Sequence, residues 1–343
     1  MRIALDVHGG DFGVRPNIEG ALAAAAGLRH EVILVGREAE IREDLRARGI
    51  SGLPAGISIV NAEQTVAMDG EPVEECRKKP DSSLMVAAGL AGSGKADVFI
   101  SAGNSGAVMV AALFKMKRIP GVIRPAIAAL LPNKGRGTLL IDAGSNMDCR
   151  PWHLAQFAVM GSVYMEMLLK IKKPRVGIFS IGEEECKGNA LVQKTVPLIK
   201  KVGVNFVGPM EGRDLPEDRA DVIVADGFVG NVALKLYEGT AKMVFGILKE
   251  NIMSRFTYKM GALLMKPLFA TLKSKMNADT YGGAPLLGIN GVALVCHGRS
   301  NATAIYNAIR VGGELASMGL ASEIGRRMEE VKTHIDEAQK EEE

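Results

Sequence analysis

The chain has 343 residues, of which 47% are hydrophobic, and its formal net charge is +3. This length is enough to bury a large core, either in one large α/β domain or in two ordinary ones. The charge is too small, and the aromatic content of 5% too low, to indicate a nucleic-acid-binding protein.

The cysteine pattern and the N-terminal sequence are typical of a cytoplasmic protein. The four cysteines lie far apart and form no C-x-x-C pair, so they indicate neither a zinc site nor a disulfide framework. The first apolar run, in MRIALDV, is too short for a signal peptide, and no apolar run reaches the length of about 18 residues that spans a membrane. We therefore expect a cytoplasmic location.

Short runs rich in β-branched residues alternate with longer helical patterns, which is typical of βαβ units around a parallel sheet. Strands are predicted at 3–7, 31–35, 57–61, 98–101, 126–131, 138–142, 175–180, 206–209, 222–225 and 291–296. Helices are predicted at 17–28, 38–48, 83–91, 107–115, 151–169, 190–202, 230–250, 301–318 and 321–341. Because no repeat or polar linker interrupts the pattern, it predicts a single α/β domain over 1–343 with a mainly parallel, doubly wound sheet.

Residues 240–290 form a helical excursion that is longer than a crossover between strands requires. Within it, Lys259, Lys266 and Lys273 recur every seven residues and therefore fall on one helix face. The other faces carry apolar residues, among them Leu264, Met265, Leu268 and Phe269. Gly261 and Pro267 are expected to divide the segment into two short amphipathic helices. Such helices suit either packing in a core or dimer, or contact with an anionic membrane surface.

A second apolar helix is predicted at 151–169, in the sequence RPWHLAQFAVMGSVYMEMLLK. It is apolar on most sides, so a single solvent-exposed face is not expected. Burial inside the chain and burial in a dimer interface both explain this pattern, and the sequence leaves both open.

Glycine and polar residues follow five of the predicted strands. Ligands bind beyond the carboxyl ends of strands in open parallel sheets, so we expect these five ends to converge on one small-molecule site. The candidate binding residues are Asp6, Gly9, Gly10, Asp11, Ser101, Gly103, Asn104, Ser105, Gly106, Asp142, Gly144, Asn146, Gly227, Gly230 and Asn231. Lys187, in a glycine-flanked loop after the strand at 175–180, and Asp226, after the strand at 222–225, complete the set.

The stretch SAGNSGAVMVAALFKM, at 101–116, favours an anion as the ligand. Its two glycines let backbone N–H groups approach a ligand closely, and the start of a helix adds unpaired donors and a positive dipole. The stretch lacks the lysine of a Walker loop and is not G-x-G-x-x-G. The four aspartates of the set would suit Mg²⁺, but their glycine and asparagine neighbours equally suit hydrogen bonds to the backbone, and we predict no metal and no cofactor.

Covalent catalysis is not indicated either. The sequence contains no G-x-S-x-G elbow and no H-E-x-x-H motif, and no cysteine has an evident histidine base. The five histidines are scattered, which is more typical of structural or surface residues than of a catalytic group.

Seven blocks of the sequence resemble, in order, the motifs of the bacterial PlsX family, the acyl-ACP:phosphate acyltransferases of phospholipid synthesis. They are DVHGGD, KPDSSLMVA, ISAGNSGAVM, LIDAGSNMDCRPWHLAQFAVMG, GIFSIGEEECKGN, VIVADGFVGNVALK and YGGAPLLGINGVALVCHGRSNATAI, and they extend over about 300 residues. The chain departs from the family at His8, where methionine is frequent, at Ser105, where threonine is common, and at Arg299, where serine is frequent. These departures concern the shape of the pocket, because the motif glycines, Lys187 and Asp226 are all present.

The resemblance implies a three-layer α/β/α sandwich like that of phosphotransacetylase and the isopropylmalate dehydrogenases, usually as a homodimer. It implies that inorganic phosphate attacks the thioester of a long-chain acyl-acyl carrier protein and releases an acyl phosphate for phosphatidic acid and phospholipid synthesis. A membrane glycerol-3-phosphate acyltransferase uses this product, so the resemblance also implies peripheral membrane contact. The candidate membrane contacts are Leu264, Met265, Leu268 and Phe269.

Under this resemblance, Lys187 and Asp226 are the candidate catalytic residues. Phosphate is already ionised at neutral pH, so the site must hold two anions together and stabilise an oxyanion rather than generate a strong nucleophile. We expect Lys187 to offset the accumulating charge or to protonate the departing thiolate. Asp226 is expected to orient Lys187 or to assist proton transfer from phosphate.

Three alternatives remain open at this point. A short-chain phosphotransacylase would use a coenzyme A thioester in the same reaction, although the lysine-edged apolar helices favour a long-chain donor. A metal- and NAD-dependent decarboxylating dehydrogenase would need a basic cluster and a carboxylate set that the sequence does not convincingly contain. A membrane-associated scaffold would leave the polar strand ends without a purpose.

Overall fold

A computed structural model of the protein describes residues 1–269, 272 and 282–341. Within these residues, eleven strands form one sheet in the order β3-β2-β1-β4-β11-β10-β5-β6-β9-β7-β8. The strands are β1 (Arg2–Asp6), β2 (Glu31–Gly36), β3 (Ile57–Asn61), β4 (Val98–Ser101), β5 (Ala126–Leu131), β6 (Thr138–Ile141), β7 (Arg175–Phe179), β8 (Asn205–Met210), β9 (Val222–Val224), β10 (Ala284–Leu287) and β11 (Val292–Val295). The fold is the predicted α/β class with a mainly parallel sheet.

Helices connect most of the strands and cover both faces of the sheet. They are α1 (Val14–Leu28), α2 (Glu38–Ala47), α3 (Pro72–Lys78), α4 (Ser83–Gly92), α5 (Ser105–Lys115), α6 (Pro151–Leu168), α7 (Ala190–Lys201), α8 (Gly227–Ser254), α9 (Phe256–Leu264), α10 (Ala302–Ser317) and α11 (Leu320–Lys340). Successive residues of a strand point to opposite faces. Accordingly, Ile3 and Leu5 of β1 pack into one core and Ala4 into another.

The two halves of the sheet run in opposite directions. β1, β4 and β11 are parallel neighbours, and β6, β9 and β7 are parallel neighbours in the other half. Between them lie three antiparallel pairings, β11 with β10, β10 with β5 and β5 with β6. Three reversals place the carboxyl ends of β1 and β4 at one edge of the sheet and those of β6, β7 and β9 at the other. The prediction that all five strand ends share one edge is therefore wrong.

Strand β10 joins the two halves and is not among the strands predicted from the sequence. Its first two residues, Ala284 and Pro285, pair with β11, whereas Leu286 and Leu287 pair with β5. Proline cannot donate a ladder hydrogen bond and is rare in central strands, which argues against a strand on local grounds. The strand forms because β11, a few residues later in the chain, flanks it on one side and β5, from a distant part of the chain, flanks it on the other.

Helix α6 is packed inside the chain. Fourteen of its 18 residues are buried, including Phe157, Met160 and Met165. They belong to the largest core, together with residues of β6, β7 and α11. Of the two interpretations of this apolar helix, burial inside the chain is the correct one.

The helical excursion begins with a longer helix than predicted. Helix α8 extends for 28 residues from Gly227, and α9 follows after Arg255, whose backbone is extended. A break that was not predicted therefore falls at Arg255, and Gly261 lies inside α9, where an isolated glycine is tolerated. Helix α9 ends at Leu264 with Met265 as its C-cap, close to the break predicted at Pro267. Lys273 lies outside the described residues. In the described part of the chain, none of the helices is both long and apolar enough to cross a membrane.

Candidate active site

Buried side chains tie together the loops that follow β1 and β4. Asp6 and Ser101 are paired residues at the ends of these neighbouring strands, and both are buried. The Ser101 hydroxyl donates to Asp6 Oδ2 at 2.7 Å and accepts from the Gly103 N–H at 3.0 Å. Burial raises the pKa of Asp6 above its ordinary value, and hydrogen bonds from Ser83 and Ser101 oppose that rise. In this geometry, both polar groups hold the two loops in place.

The glycines of the first loop allow close contact between backbones. A Cβ on Gly9 would lie 2.7 Å from the Gly103 nitrogen, and Gly10 has a φ of +109°, which favours glycine. Asn17, which is not among the residues predicted from the sequence, donates through Nδ2 to the Gly9 carbonyl at 2.8 Å. Asp11 is exposed, and its carboxylate lies 3.9 Å from the Arg299 guanidinium.

The side chain of Asn104 is committed to the start of helix α5. Its Oδ1 accepts from the Ala107 N–H at 3.1 Å, as an N-cap does, and its Nδ2 donates to the Met68 carbonyl at 2.8 Å. A Cβ on Gly106 would lie 2.7 Å from the ring of Pro72. Ser105, by contrast, is exposed at the first residue of the helix. Of this stretch, Ser105 is the side chain best placed to meet a ligand.

Asp142, at the end of β6, is fully buried and organises the loop that follows it. Its two oxygens accept hydrogen bonds from the backbone N–H groups of Ile127, Gly144, Ser145 and Asn146, at 2.6 to 3.1 Å. The Ser145 hydroxyl and the Asn146 side-chain amide donate to the same carboxylate at 2.7 and 2.9 Å. These donors come from the loop and from β5 and occupy both carboxylate oxygens, so Asp142 shapes the site from inside the protein.

Two glycines bring the start of helix α8 against this loop. A Cβ on Gly230 would lie 1.9 Å from the Asp142 carbonyl oxygen, and one on Gly227 would lie 2.7 Å from the backbone of Asn146. The Gly227 N–H also donates to the Asn146 carbonyl at 2.7 Å. Asn231 contacts the loop at Gly144, where a Cβ would lie 3.3 Å from the Asn231 side chain. The absence of side chains at these positions explains the close helix–loop packing.

Asp226 is the N-cap of helix α8. Its Oδ1 accepts from the N–H groups of Phe228 and Val229, each at 3.0 Å. The cap places a carboxylate at the positive end of the helix dipole, where negative charge is stabilised. Oδ2 takes part in neither of these capping bonds.

Lys187 lies in the loop between β7 and α7 and is half exposed. Its ammonium donates to Glu184 Oε1 at 2.9 Å, and this partner raises the pKa of Lys187, which is therefore protonated at neutral pH. The two other glutamates of the loop pair with different cations, Glu183 with Arg219 and Glu185 with Lys200. The hydrogen bonds of Lys187 and Asp226 thus lead to separate partners, although the two residues that follow Lys187, Gly188 and Asn189, line the same cleft as Asp226.

Ser180 is a further polar residue of this cleft and is not among the site residues predicted from the sequence. It follows β7 at the level of Asp226, because Ile178 pairs with Val224 in the neighbouring strand. Its hydroxyl is buried and has no hydrogen-bond partner in the part of the chain that the structure describes. A buried hydroxyl without a partner is unusual and marks a group that can bind a ligand. The motif GIFSIGEEECKGN contains Ser180, but nothing in its spacing distinguishes it.

Cys149 is close to these carboxylates but is a poor nucleophile. Its thiol donates to the Asn146 carbonyl at 3.5 Å. Burial, followed by the charges of Asp142 and Asp226, raises the pKa of Cys149 to about 12. Because the thiolate is the reactive form, this thiol is unsuited to carry an acyl group. Among the described residues, no group of three or more His, Cys, Asp or Glu side chains is arranged to hold a metal ion.

Comparison with known proteins agrees with the sequence motifs. Residues 1–323 match the family model described as "Fatty acid synthesis protein". A phosphate acyltransferase of Elusimicrobium minutum is 52% identical over 332 residues, which cover 97% of each chain. One from Pelotomaculum thermopropionicum is 45% identical over 97% of this chain and 96% of its own.

Solved structures give the same fold at much lower identity. A phosphotransacetylase from Streptococcus pyogenes superposes with a TM-score of 0.60 at 18% identity, over 93% of this chain and 94% of its own. The EutD phosphotransacetylase from Staphylococcus aureus gives a TM-score of 0.58 at 16% identity, over 92% and 94%. The fold likeness and the nearly full-length identity together lead to one conclusion: the chain belongs to the PlsX family of phosphate acyltransferases.

Proposed function

We propose that this enzyme transfers a long-chain acyl group from acyl-acyl carrier protein to inorganic phosphate, and that the acyl phosphate supplies phosphatidic acid and phospholipid synthesis. The observation that carries the proposal is the cleft at the ends of β7 and β9. Asp226, Ser180 and the loop of Lys187 border it, and its remaining lining is mainly apolar. A cleft with one polar end and an apolar remainder suits an acyl thioester.

In the proposed reaction, a phosphate oxygen attacks the thioester carbonyl carbon, the C–S bond breaks and the carrier thiolate leaves. The proton lost from phosphate finally resides on that thiol. Lys187 supplies positive charge to the oxyanion and to the departing sulfur, and Asp226 receives or directs the proton. The high pKa of Cys149 is consistent with direct transfer, without an acyl-enzyme intermediate.

The ion pair of Lys187 with Glu184 does not prevent this role. Water screens an exposed pair of this kind, so it contributes little to stability and the lysine side chain can leave Glu184 for an anionic substrate at little cost. Phosphate bound beside the Lys187 ammonium would take the place of the Glu184 carboxylate.

Replacement of Lys187 by alanine tests the proposal against a matched control. Lys200 pairs with Glu185 at 2.6 Å, and both lysine side chains are 50% exposed. We expect Lys187→Ala to lower phosphate-dependent release of carrier thiol about a hundredfold, and Lys200→Ala to leave it within about twofold. A folded Lys187→Ala enzyme with normal turnover would refute the assignment of Lys187.

The alternative is a short-chain phosphotransacylase that uses acyl-coenzyme A, since the solved structures with this fold include phosphotransacetylases. The apolar cleft favours the long-chain donor. Rates with acetyl-coenzyme A and with a long-chain acyl carrier protein thioester distinguish the two, because the alternative requires the former to be the better substrate.

We also propose that the enzyme is a cytoplasmic homodimer that touches the membrane through the region of α9 and passes acyl phosphate to a membrane glycerol-3-phosphate acyltransferase. Leu264 is 83% exposed, and Met265 and Leu268 are exposed as well, whereas Phe269 is half-buried. Exposed Lys266 lies among them. Apolar side chains next to a cation are the features of an interfacial helix on anionic lipid.

A further inference from the structure

A cavity of about 400 Å³ extends from the polar end of the cleft along helix α8. Its floor consists of buried apolar side chains from α6, β7 and α7, namely Leu154, Ile178, Phe179 and Val192. Its rim is the first part of α8, with Phe228, Val232 and Leu236. The rim side chains are exposed, although they are large and apolar.

The polar groups of this cavity are concentrated at one end. Three polar residues lie at this end. Ser180 follows β7, Asn189 is the N-cap of α7 and Asp226 is the N-cap of α8. From Phe228 to Leu236 the helix advances about 12 Å, at 1.5 Å per residue, and the lining residues of α8 over this length are apolar. The cavity therefore has one polar end and an apolar remainder, which is the polarity that suits a chain with a polar head.

We propose that this cavity binds the hydrocarbon chain of the acyl donor, with the thioester at the end formed by Ser180 and Asp226. This inference rests on the proposed function and adds to it the site that selects chain length. A methylene group takes up about the 30 Å³ of a water molecule in the liquid, so the cavity holds roughly a dozen methylenes. Each buried methylene strengthens binding about fourfold, so a filled cavity strongly favours long chains.

Ala233 offers a way to shorten the cavity without touching its polar end. It lines the cavity from α8 and is partly buried, so a phenyl ring at this position occupies space that the chain would use. Val244 lies on the same helix outside the cavity and is exposed, so Val244→Phe is the matched control. Val192→Phe, from the cavity floor, is a second shortening variant in case Ala233→Phe folds poorly.

The assay compares kcat/KM for butyryl, octanoyl, dodecanoyl and hexadecanoyl carrier protein thioesters. We expect Ala233→Phe to lower the value for the hexadecanoyl donor at least about tenfold and to leave the butyryl donor within about twofold, while Val244→Phe changes none of them selectively. An equal loss at every chain length, or no loss, overturns the proposal. A loss accompanied by a changed oligomeric state also overturns it, since a second copy of the chain would then be the occupant.

Direct binding separates this inference from the proposed function. Calorimetric titration of dodecanoate into wild-type protein and the Ala233→Phe variant measures the cavity without catalysis. If the wild-type protein forms no acyl phosphate but binds dodecanoate more tightly than the variant, the proposed reaction fails and the chain site stands. If Ala233→Phe and wild type bind dodecanoate equally, the chain site fails, whatever the turnover.

Discussion

Replacement of Gly230 by alanine tests how helix α8 is held against the loop that follows β6. The new methyl carbon would lie 1.9 Å from the Asp142 carbonyl oxygen and 3.0 Å from its carbonyl carbon. These are backbone atoms, and Asp142 is fixed by hydrogen bonds from its own loop, so no flexible side chain can move aside. Overpacking costs typically about 1–3 kcal/mol, and we expect about 3 kcal/mol or more here.

Gly239 provides the control on the same helix. A Cβ there meets no atom within 4 Å, so Gly239→Ala changes helix propensity alone and should raise the free energy of unfolding by about 0.5–1 kcal/mol. Urea denaturation of both variants measures the difference. Because Gly230 lies one turn after Asp226, we also expect Gly230→Ala to lose turnover at temperatures where it remains folded. A Gly230→Ala protein as stable and active as wild type would refute the packing argument.

Three other predictions concern catalysis, pH and lipid. Asparagine caps a helix about as well as aspartate, so Asp226→Asn should keep the free energy of unfolding within about 0.5 kcal/mol of the wild-type value while turnover falls roughly a hundredfold. Urea denaturation and rate assays measure the two quantities. If stability and turnover fall together, the role of Asp226 is structural alone. Burial, with the charges of Arg124 and Arg150, lowers the pKa of His153 from 6.5 to about 4, so the unfolded chain binds more protons between these values and stability falls as pH drops through that range. His153→Gln should flatten this part of the stability profile, and an unchanged profile would contradict the assignment. Leu264→Glu should reduce sedimentation with anionic liposomes while sparing turnover in solution, and unchanged sedimentation would favour a packing role for α9.

Local patterns in the sequence are sufficient for most of the secondary structure. The runs at 3–7, 31–35 and 98–101 correspond to β1, β2 and β4, because period-two alternation and β-branched residues act over a few neighbouring positions. The missed elements are those with weak local signals. Helix α3 has only seven residues, and β10 contains Pro285 in a segment predicted as part of a helical excursion.

The site is predicted less completely than the fold. The sequence identifies the strand-end motifs, and glycine, serine and aspartate in them indicate close backbone approach or anion binding. It does not distinguish a glycine that meets a ligand from Gly230, which meets the backbone of Asp142. It likewise does not reveal that hydrogen bonds from the following loop occupy the Asp142 carboxylate oxygens, whereas the Ser180 hydroxyl has no hydrogen-bond partner among the described residues.

The sequence by itself determined the α/β class, the family and the motif residues, since these depend on residue types and short spacings. Only the tertiary structure decided that the two halves of the sheet run in opposite directions, through the antiparallel strands β10 and β5. It also decided that Lys187 pairs with Glu184 and that Asp226 caps α8 beside an apolar cavity. The partner of Lys187 is a near neighbour in the chain, but three glutamates stand in that loop and the sequence does not say which of them the lysine meets. Strand direction and the lining of the cavity depend on contacts between residues far apart in the chain, and the free energy of those contacts is not encoded in any short stretch of sequence.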